Sequence, residues 1–181
     1  MTKIRIENVV ATTSLGKELD IQSISRAIEG AQYEPEQFPG IVYRIKEPKT
    51  ALLVFRSGKV VCTGAKSLEE VRTAITQLVK QIEAAGVPVT EKPESIIQNI
   101  VASADLGGVL DLNVIAISLS ENVEYEPEQF PGLVYRIDKP KVVVLLFGSG
   151  KMVCTGARRT EDVELAVERI TKELRNAGLF R

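Results

Sequence analysis

The chain of 181 residues contains no histidine, no tryptophan and only two cysteines, Cys62 and Cys154. Without histidine there is no imidazole to activate a serine or cysteine nucleophile and none to ligate zinc. The cysteines stand one in each half of the chain, which excludes a cysteine-rich metal site. Their ordinary reading is two buried strand thiols in a reducing compartment. There is no GxxxxGK[ST] loop, and no spacing points to a buried carboxylate pair, so nothing supports an enzyme or a bound cofactor. No apolar run approaches the roughly eighteen residues of a membrane span, and MTKIRIENVV has no apolar signal core. A soluble, cytoplasmic protein with no membrane partner is expected. Aromatic residues are also scarce, at 5% with five phenylalanines, so the placing of each phenylalanine carries information.

What the chain does contain, it contains twice. YEPEQFPGIVYRI (residues 33–45) returns as YEPEQFPGLVYRI (125–137), with Ile41 exchanged for Leu133. At the same offset of 92, KTALLVFRSGKVVCTGAK (49–66) returns as KVVVLLFGSGKMVCTGAR (141–158). IENVVAT (6–12) is echoed by IQNIVAS (97–103) at an offset of 91. The protein is a tandem duplication, with repeats expected over 1–90 and 91–181, and any site should occur in two matched copies. Two copies are too few for a solenoid.

Net charge is −1, with 44% apolar and 26% charged residues, ordinary values for a globular chain. The charge is segregated. Residues 41–67 hold Arg44, Lys46, Lys49, Arg56, Lys59 and Lys66 against Glu47 alone. Residues 133–159 hold Arg136, Lys139, Lys141, Lys151, Arg158 and Arg159 against Asp138 alone. The remainder of the chain is strongly acidic.

Lys3–Ala11 has the β-branched content of a strand, and Asp20 is placed to cap a short helix that carries Ile21, Ile24 and Ile28. Tyr33–Gly40 reads as a proline-bearing loop, and Glu47-Pro48 ends the strand that follows it. Thr50–Arg56 and Lys59–Gly64 flank Ser57-Gly58 as a hairpin. Ser67 and Glu70 form a capping box before a helix with Leu68, Val71, Ile75, Leu78, Ile82 and Ala85 on one face. In the second half Asp111–Ser118 replaces the short helix. Thr160 opens a last helix with Val163, Val167, Ile170, Leu174 and Ala177 inward. Val87–Pro93 is the only linker-like stretch, and it is short. Each repeat is therefore β-α-β-β-β-β-α. An α+β fold is expected, with about ten strands in one continuous antiparallel sheet, four helices and a pseudo-two-fold axis.

The strands are anomalous for a sheet covered on one side. Leu52 and Val54 take one face while Ala51, Leu53 and Phe55 take the other; Val60 and Cys62 oppose Val61 and Thr63. Val142–Phe147 and Met152–Thr155 behave alike. Four amphipathic helices cover one side, which leaves an apolar face exposed. Such a face marks a binding surface.

These stretches resemble the TATA-box-binding protein family of general transcription factors, in its archaeal form, over nearly the whole chain. The resemblance implies a curved saddle with helices on its convex side and the concave sheet in the minor groove of TATA-box DNA. The family is itself the type example of minor-groove kinking, so wedging and bending are carried over with the resemblance. The positions that match its wedges are Phe38, Phe55, Phe130 and Phe147, spaced by 17 in both halves. A strand phenylalanine is ordinarily core, but Phe38 and Phe130 sit in polar, proline-flanked loops. Asn8 and Asn99 match asparagines that donate to acceptors on central base pairs. Val10, Val101, Leu53, Leu145, Val61 and Val153 match the apolar floor, and Thr63 and Thr155 match threonines at acceptor atoms. Arg44, Lys59, Lys66, Arg136, Lys151 and Arg158 match the phosphate rim.

The resemblance also implies docking of transcription factor B on the second stirrup, through Glu126, Glu128 and Gln129, followed by RNA polymerase. It further implies a self-dimer that masks the sheet when DNA is absent, and a nucleoid location (nuclear, if the source is eukaryotic). The competing reading of the residues is a protein-binding or dimerisation module that uses the apolar face without selecting DNA. The halves depart from one another at few groove-face positions, notably Arg56 against Gly148 and Glu7 against Gln98.

Overall fold

A computed structural model describes residues 2–89 and 93–180. The expected boundary at 90/91 and the middle of the linker lie outside the described residues. The chain divides into two compact units, Asn8–Gln98 and the combination of Met1–Glu7 with Asn99–Arg181.

The first unit holds most of β1 (Ile4–Ser14), then α1 (Ile21–Ala27), β2 (Ala31–Gln32), β3 (Ile41–Ile45), β4 (Thr50–Val54), β5 (Lys59–Ala65) and α2 (Leu68–Ala84). The second holds most of β6 (Ile96–Asp105), then α3 (Leu112–Ser118), β7 (Val123–Glu124), β8 (Leu133–Ile137), β9 (Val142–Leu146), β10 (Lys151–Ala157) and α4 (Thr160–Asn176). Each repeat has the expected β-α-β-β-β-β-α order. The strands hydrogen-bond in the order β2-β3-β4-β5-β1-β6-β10-β9-β8-β7, a ten-stranded sheet. The meanders β2–β3–β4–β5 and β7–β8–β9–β10 are antiparallel throughout. Among the described residues no helix is long and apolar enough to cross a membrane.

Strand alternation decides what faces the helices. In β4, Thr50, Leu52 and Val54 are buried and Ala51 and Leu53 half-buried; β9 repeats this with Val142, Val144 and Leu146 against Val143 and Leu145. α2 packs on β4 and β5, and α4 on β9 and β10, so the buried face is the helix-covered one. α2 contributes Val71, Ala74, Ile75, Leu78 and Ile82; α4 contributes Val163, Ala166, Val167, Ile170 and Leu174. Cys62 and Cys154 lie within this core, and burial pushes both thiols up to about 11, so they stay protonated at neutral pH.

Several local expectations need correction. β4 stops at Val54, so Phe55 lies outside the strand. The β4–β5 connection is a four-residue turn rather than a two-residue one: Gly58 N–H donates to Phe55 O at 2.9 Å and Phe55 N–H to Lys59 O at 2.9 Å. Gly58 takes the left-handed conformation this turn requires, with φ +91°. At α2, Ser67 accepts from Glu70 N–H, but the Glu70 carboxylate accepts from Lys66 N–H, one residue before the position of a capping box. Leu68 and Ala85 are half-buried at the two ends of the α2 stripe. Ala177 is exposed, not inward. It is the C-cap of α4, one residue beyond the last helical position, where the apolar stripe has run past the sheet.

Candidate nucleic-acid interface

The face away from the helices carries, in each unit, an asparagine, a threonine and three aliphatic side chains. In the first unit these are Asn8 and Val10 on β1, Leu53 on β4, and Val61 and Thr63 on β5; all are half-buried. In the second they are Asn99 and Val101 on β6, Leu145 on β9, and Val153 and Thr155 on β10, half-buried likewise. Every one alternates with a buried neighbour. The ten positions expected at base edges therefore share the uncovered side of their own unit's strands.

The polar members are oriented by the backbone. β1 and β5 lose register between Val9 and Ala11, and β10 and β6 between Cys154 and Ala157. Gly64 (φ +94°) and Gly156 (φ +98°) lie at these bulges, and only glycine adopts that conformation without strain. The irregularity frees Gly64 N–H to donate to Asn8 Oδ1 at 2.7 Å, and Gly156 N–H to donate to Asn99 Oδ1 at 2.6 Å. A backbone N–H can only donate, so each amide oxygen must face it. Each Nδ2 then donates one hydrogen to a threonine, Asn8 to Thr63 and Asn99 to Thr155, both at 3.3 Å. The second Nδ2 hydrogen remains for another acceptor, and a hydroxyl that has accepted is left to donate. Each unit thus presents two donors from one locked Asn–Thr couple.

Phenylalanines close one end of each unit's sheet. The Phe38 and Phe55 rings lie 5.6 Å apart at 60°, and Phe130 and Phe147 lie 6.0 Å apart at 64°. None belongs to the core: Phe130 is 38% exposed and the other three half-buried. Phe38 and Phe130 are held by their loops, with N–H donated to Glu34 O at 2.9 Å and to Glu126 O at 3.0 Å.

Sequence reasoning missed the seat of these pairs. A Cβ on Gly132 would come 2.7 Å from Phe130 Cε2 and 3.0 Å from Phe147 Cε1. One on Gly40 would meet Val54 O at 2.9 Å and Phe38 Cε2 at 3.0 Å. The repeated F-P-G triplet was the available signal. Gly132→Ala should push the second ring pair apart with a stability loss of about 1 kcal/mol, because the two nearest obstructing atoms are edge carbons of the exposed Phe130 and half-buried Phe147 rings, with Leu146 O farther off at 3.3 Å. We expect a smaller DNA bend with an unchanged melting midpoint to within a few degrees, measured by end-to-end energy transfer and calorimetry. An unaltered bend would show that the glycine does not set the wedge.

All six rim cations, Arg44, Lys59, Lys66, Arg136, Lys151 and Arg158, are exposed. Two are steered by neighbours that the sequence did not flag. Arg44 Nη1 donates to Gln32 Oε1 at 2.9 Å, whereas Arg136 Nη2 lies 3.6 Å from the Glu124 carboxylate. Near the start of β1, Glu7 accepts from Ser103 Oγ at 2.8 Å; its repeat partner Gln98 donates to Thr12 Oγ1 at 3.0 Å. Glu126, Glu128 and Gln129 are exposed in the turn ahead of Phe130. Among the described residues no group of acidic, cysteine or histidine side chains could hold a metal ion.

Comparison with known proteins gives the same answer from several directions. The family model "Transcription factor TFIID (or TATA-binding protein, TBP)" matches residues 3–85 and 94–177. The chain is 62% identical over 179 residues to the TATA-box-binding protein of Archaeoglobus fulgidus, covering 98% of each chain. It is 57% identical over 181 residues to that of Picrophilus torridus, covering 99% of this chain and 98% of the other. Among solved structures, Methanococcus jannaschii TBP superimposes with a TM-score of 0.89 at 53% identity, covering 96% of this chain and 99% of that one. The protein belongs to the TATA-box-binding protein family, whose members are DNA-binding transcription factors and not enzymes.

Proposed function

We propose that this chain binds the minor groove of A·T-rich promoter DNA, kinks it by phenylalanine insertion, and nucleates initiation complexes with transcription factor B and RNA polymerase. The observation that carries the reading is the locked Asn–Thr couple. The minor-groove edge of an A·T pair offers only acceptors, adenine N3 and thymine O2, while a G·C pair adds the guanine N2 donor. Two fixed donors per unit match the first edge and meet a donor on the second. The aliphatic floor, Val10, Leu53 and Val61 with their counterparts Val101, Leu145 and Val153, leaves no group that could satisfy guanine N2.

The ring pairs supply the wedges. Unstacking a base step costs a few kcal/mol, offset by the contact that the bent duplex then makes. Exposed Lys and Arg at the strand edges take phosphates; they fix register without reading sequence. The acidic turn at Glu126, Glu128 and Gln129 carries the wrong sign for DNA and suits the protein partner.

Titration of two short duplexes, one with a TATA box and one G·C-substituted, tests this. Dyes at the duplex ends report bending, and the series is repeated at several salt concentrations. Tight binding to the TATA duplex alone, with the ends drawn together and affinity falling steeply with salt, is expected. Equal weak binding to both duplexes without a bend would overturn the reading and favour a protein-binding role for the apolar face.

A further inference from the structure

Beyond α4 the chain folds back onto a loop of its own repeat. α4 ends in a turn where Leu179 N–H donates to Leu174 O at 2.8 Å and Gly178 N–H to Arg175 O at 3.0 Å. Leu174 is fully buried, so this turn fixes where Phe180 emerges. The half-buried Phe180 ring lies on Gly108, where a Cβ would come 3.3 Å from Phe180 Cε1. Arg175 Cζ stands 5.7 Å from the ring centroid. Gly108 belongs to the loop between β6 and α3, and that loop backs the turn beside Phe147. Leu106 N–H donates to Gly150 O and Leu110 N–H to Gly148 O, each at 2.9 Å. A Cβ on Gly150 would stand 2.1 Å from Gly108 O, so the two backbones are in direct contact. The turn is closed by Gly150 N–H to Phe147 O and by Phe147 N–H to Lys151 O, both at 2.9 Å.

Phe180, the loop, the turn and Phe147 thus stand in series within one compact unit. A base step that takes up Phe147 also pushes on it, and the turn holds the ring only as firmly as the loop holds the turn. In the first repeat the loop makes the same bonds, Leu15 N–H to Gly58 O at 2.9 Å and Leu19 N–H to Arg56 O at 2.8 Å. There, however, Lys17 stands at the place of Gly108, and exposed Pro88 at the place of Phe180. Neither supplies an aromatic cover. We propose that Phe180 is a positioning residue for the second wedge: seated on Gly108, it holds the 106–110 loop, and with it the turn and Phe147, against the load of an unstacked base step. This role rests on the DNA reading above, and Phe180 acts through Phe147 without touching DNA. The two wedges match in geometry but differ in what stands behind them.

Amide hydrogen exchange of the free chain, followed by nuclear magnetic resonance, reads the support without DNA. Phe180→Ala should speed exchange at Leu106, Leu110 and Gly150 about tenfold, with Leu15, Leu19 and Gly58 unchanged as the internal control. On a TATA duplex the same variant should dissociate about threefold faster, while its melting midpoint stays within a few degrees of the natural chain's. Phe180→Tyr keeps the ring and should restore both rates. Gly108→Gln reaches the same end without altering α4: Lys17 shows that the loop accepts a long side chain, which here would displace the ring. Unchanged exchange in the alanine and glutamine variants, unchanged dissociation, or a tyrosine variant no better than alanine overturns the proposal. If the natural chain itself fails to bend the duplex, the DNA reading falls and the wedge role with it, while exchange still decides whether Phe180 holds the loop.

Discussion

Phe55→Ala should remove most of the DNA bend while leaving helix content intact. Phe55 is half-buried at the end of β4, and its ring contacts Phe38 at 5.6 Å, so truncation strips one half of a two-ring wedge. The fold loses little, since the ring contributes nothing to the helix-covered core and no enclosed cavity forms. On the proposed reading, the complex would lose the ring-to-base stacking that offsets unstacking. We expect a drop in affinity for the TATA duplex of about 100-fold, equivalent to about 2.7 kcal/mol. Phe147→Ala should match it, because the second pair has the same geometry at 6.0 Å. Energy transfer between the duplex ends, together with far-ultraviolet circular dichroism, makes the measurement. A retained bend in either variant would remove the rings from the mechanism.

Asn8→Asp is the sharper chemical test, being isosteric. The aspartate would still accept from Gly64 N–H, now at a carboxylate oxygen, and the Thr63 hydroxyl would turn to donate to it. Both outward donors then vanish, and a negative charge faces the acceptor edge of the A·T pairs. The expected loss of TATA affinity is about 100-fold or more, beyond that of Asn8→Ala, which removes a donor without adding charge. Thermal stability should move little, because Asn8 is half-buried and its bond to Gly64 survives. The same ordering should hold at Asn99, whose bonds to Gly156 and Thr155 are matched to within about 0.1 Å. If aspartate at position 8 bound TATA DNA as well as alanine, the donor reading of the couple would be lost.

Much of this was legible because the chain repeats itself. Duplication makes each candidate residue one of a matched pair, and the apolar character of both faces of β4 and β5 implies that one face lacks a cover. Contacts between residues far apart in sequence were not legible. The bond from Gly64 to Asn8 spans 56 positions and depends on a bulge that hydrophobic periodicity does not register. The close fit of Gly132 beneath Phe130 depends on the approach of the β9 end, which brings Phe147 alongside. Ala177 shows the limit of a stripe: the 3.6-residue period places it inward, but the period ends where the helix does. The apolar neighbours of Phe55 read as strand, yet the turn around Ser57-Gly58 takes it, through Gly58 N–H to Phe55 O and Phe55 N–H to Lys59 O.

The protonated, core-bound thiols of Cys62 and Cys154 have a practical consequence. At 0% and 1% exposure, neither presents a nucleophile to a maleimide dye while the protein is folded. The natural chain is thus already silent to thiol labelling. One cysteine introduced at exposed Ser57 or Ser149, each in the turn beside a ring pair, would be the sole point of attachment. A single fluorophore there could follow one end of the protein on DNA at a time, and the two labelled forms together would reveal which repeat engages first.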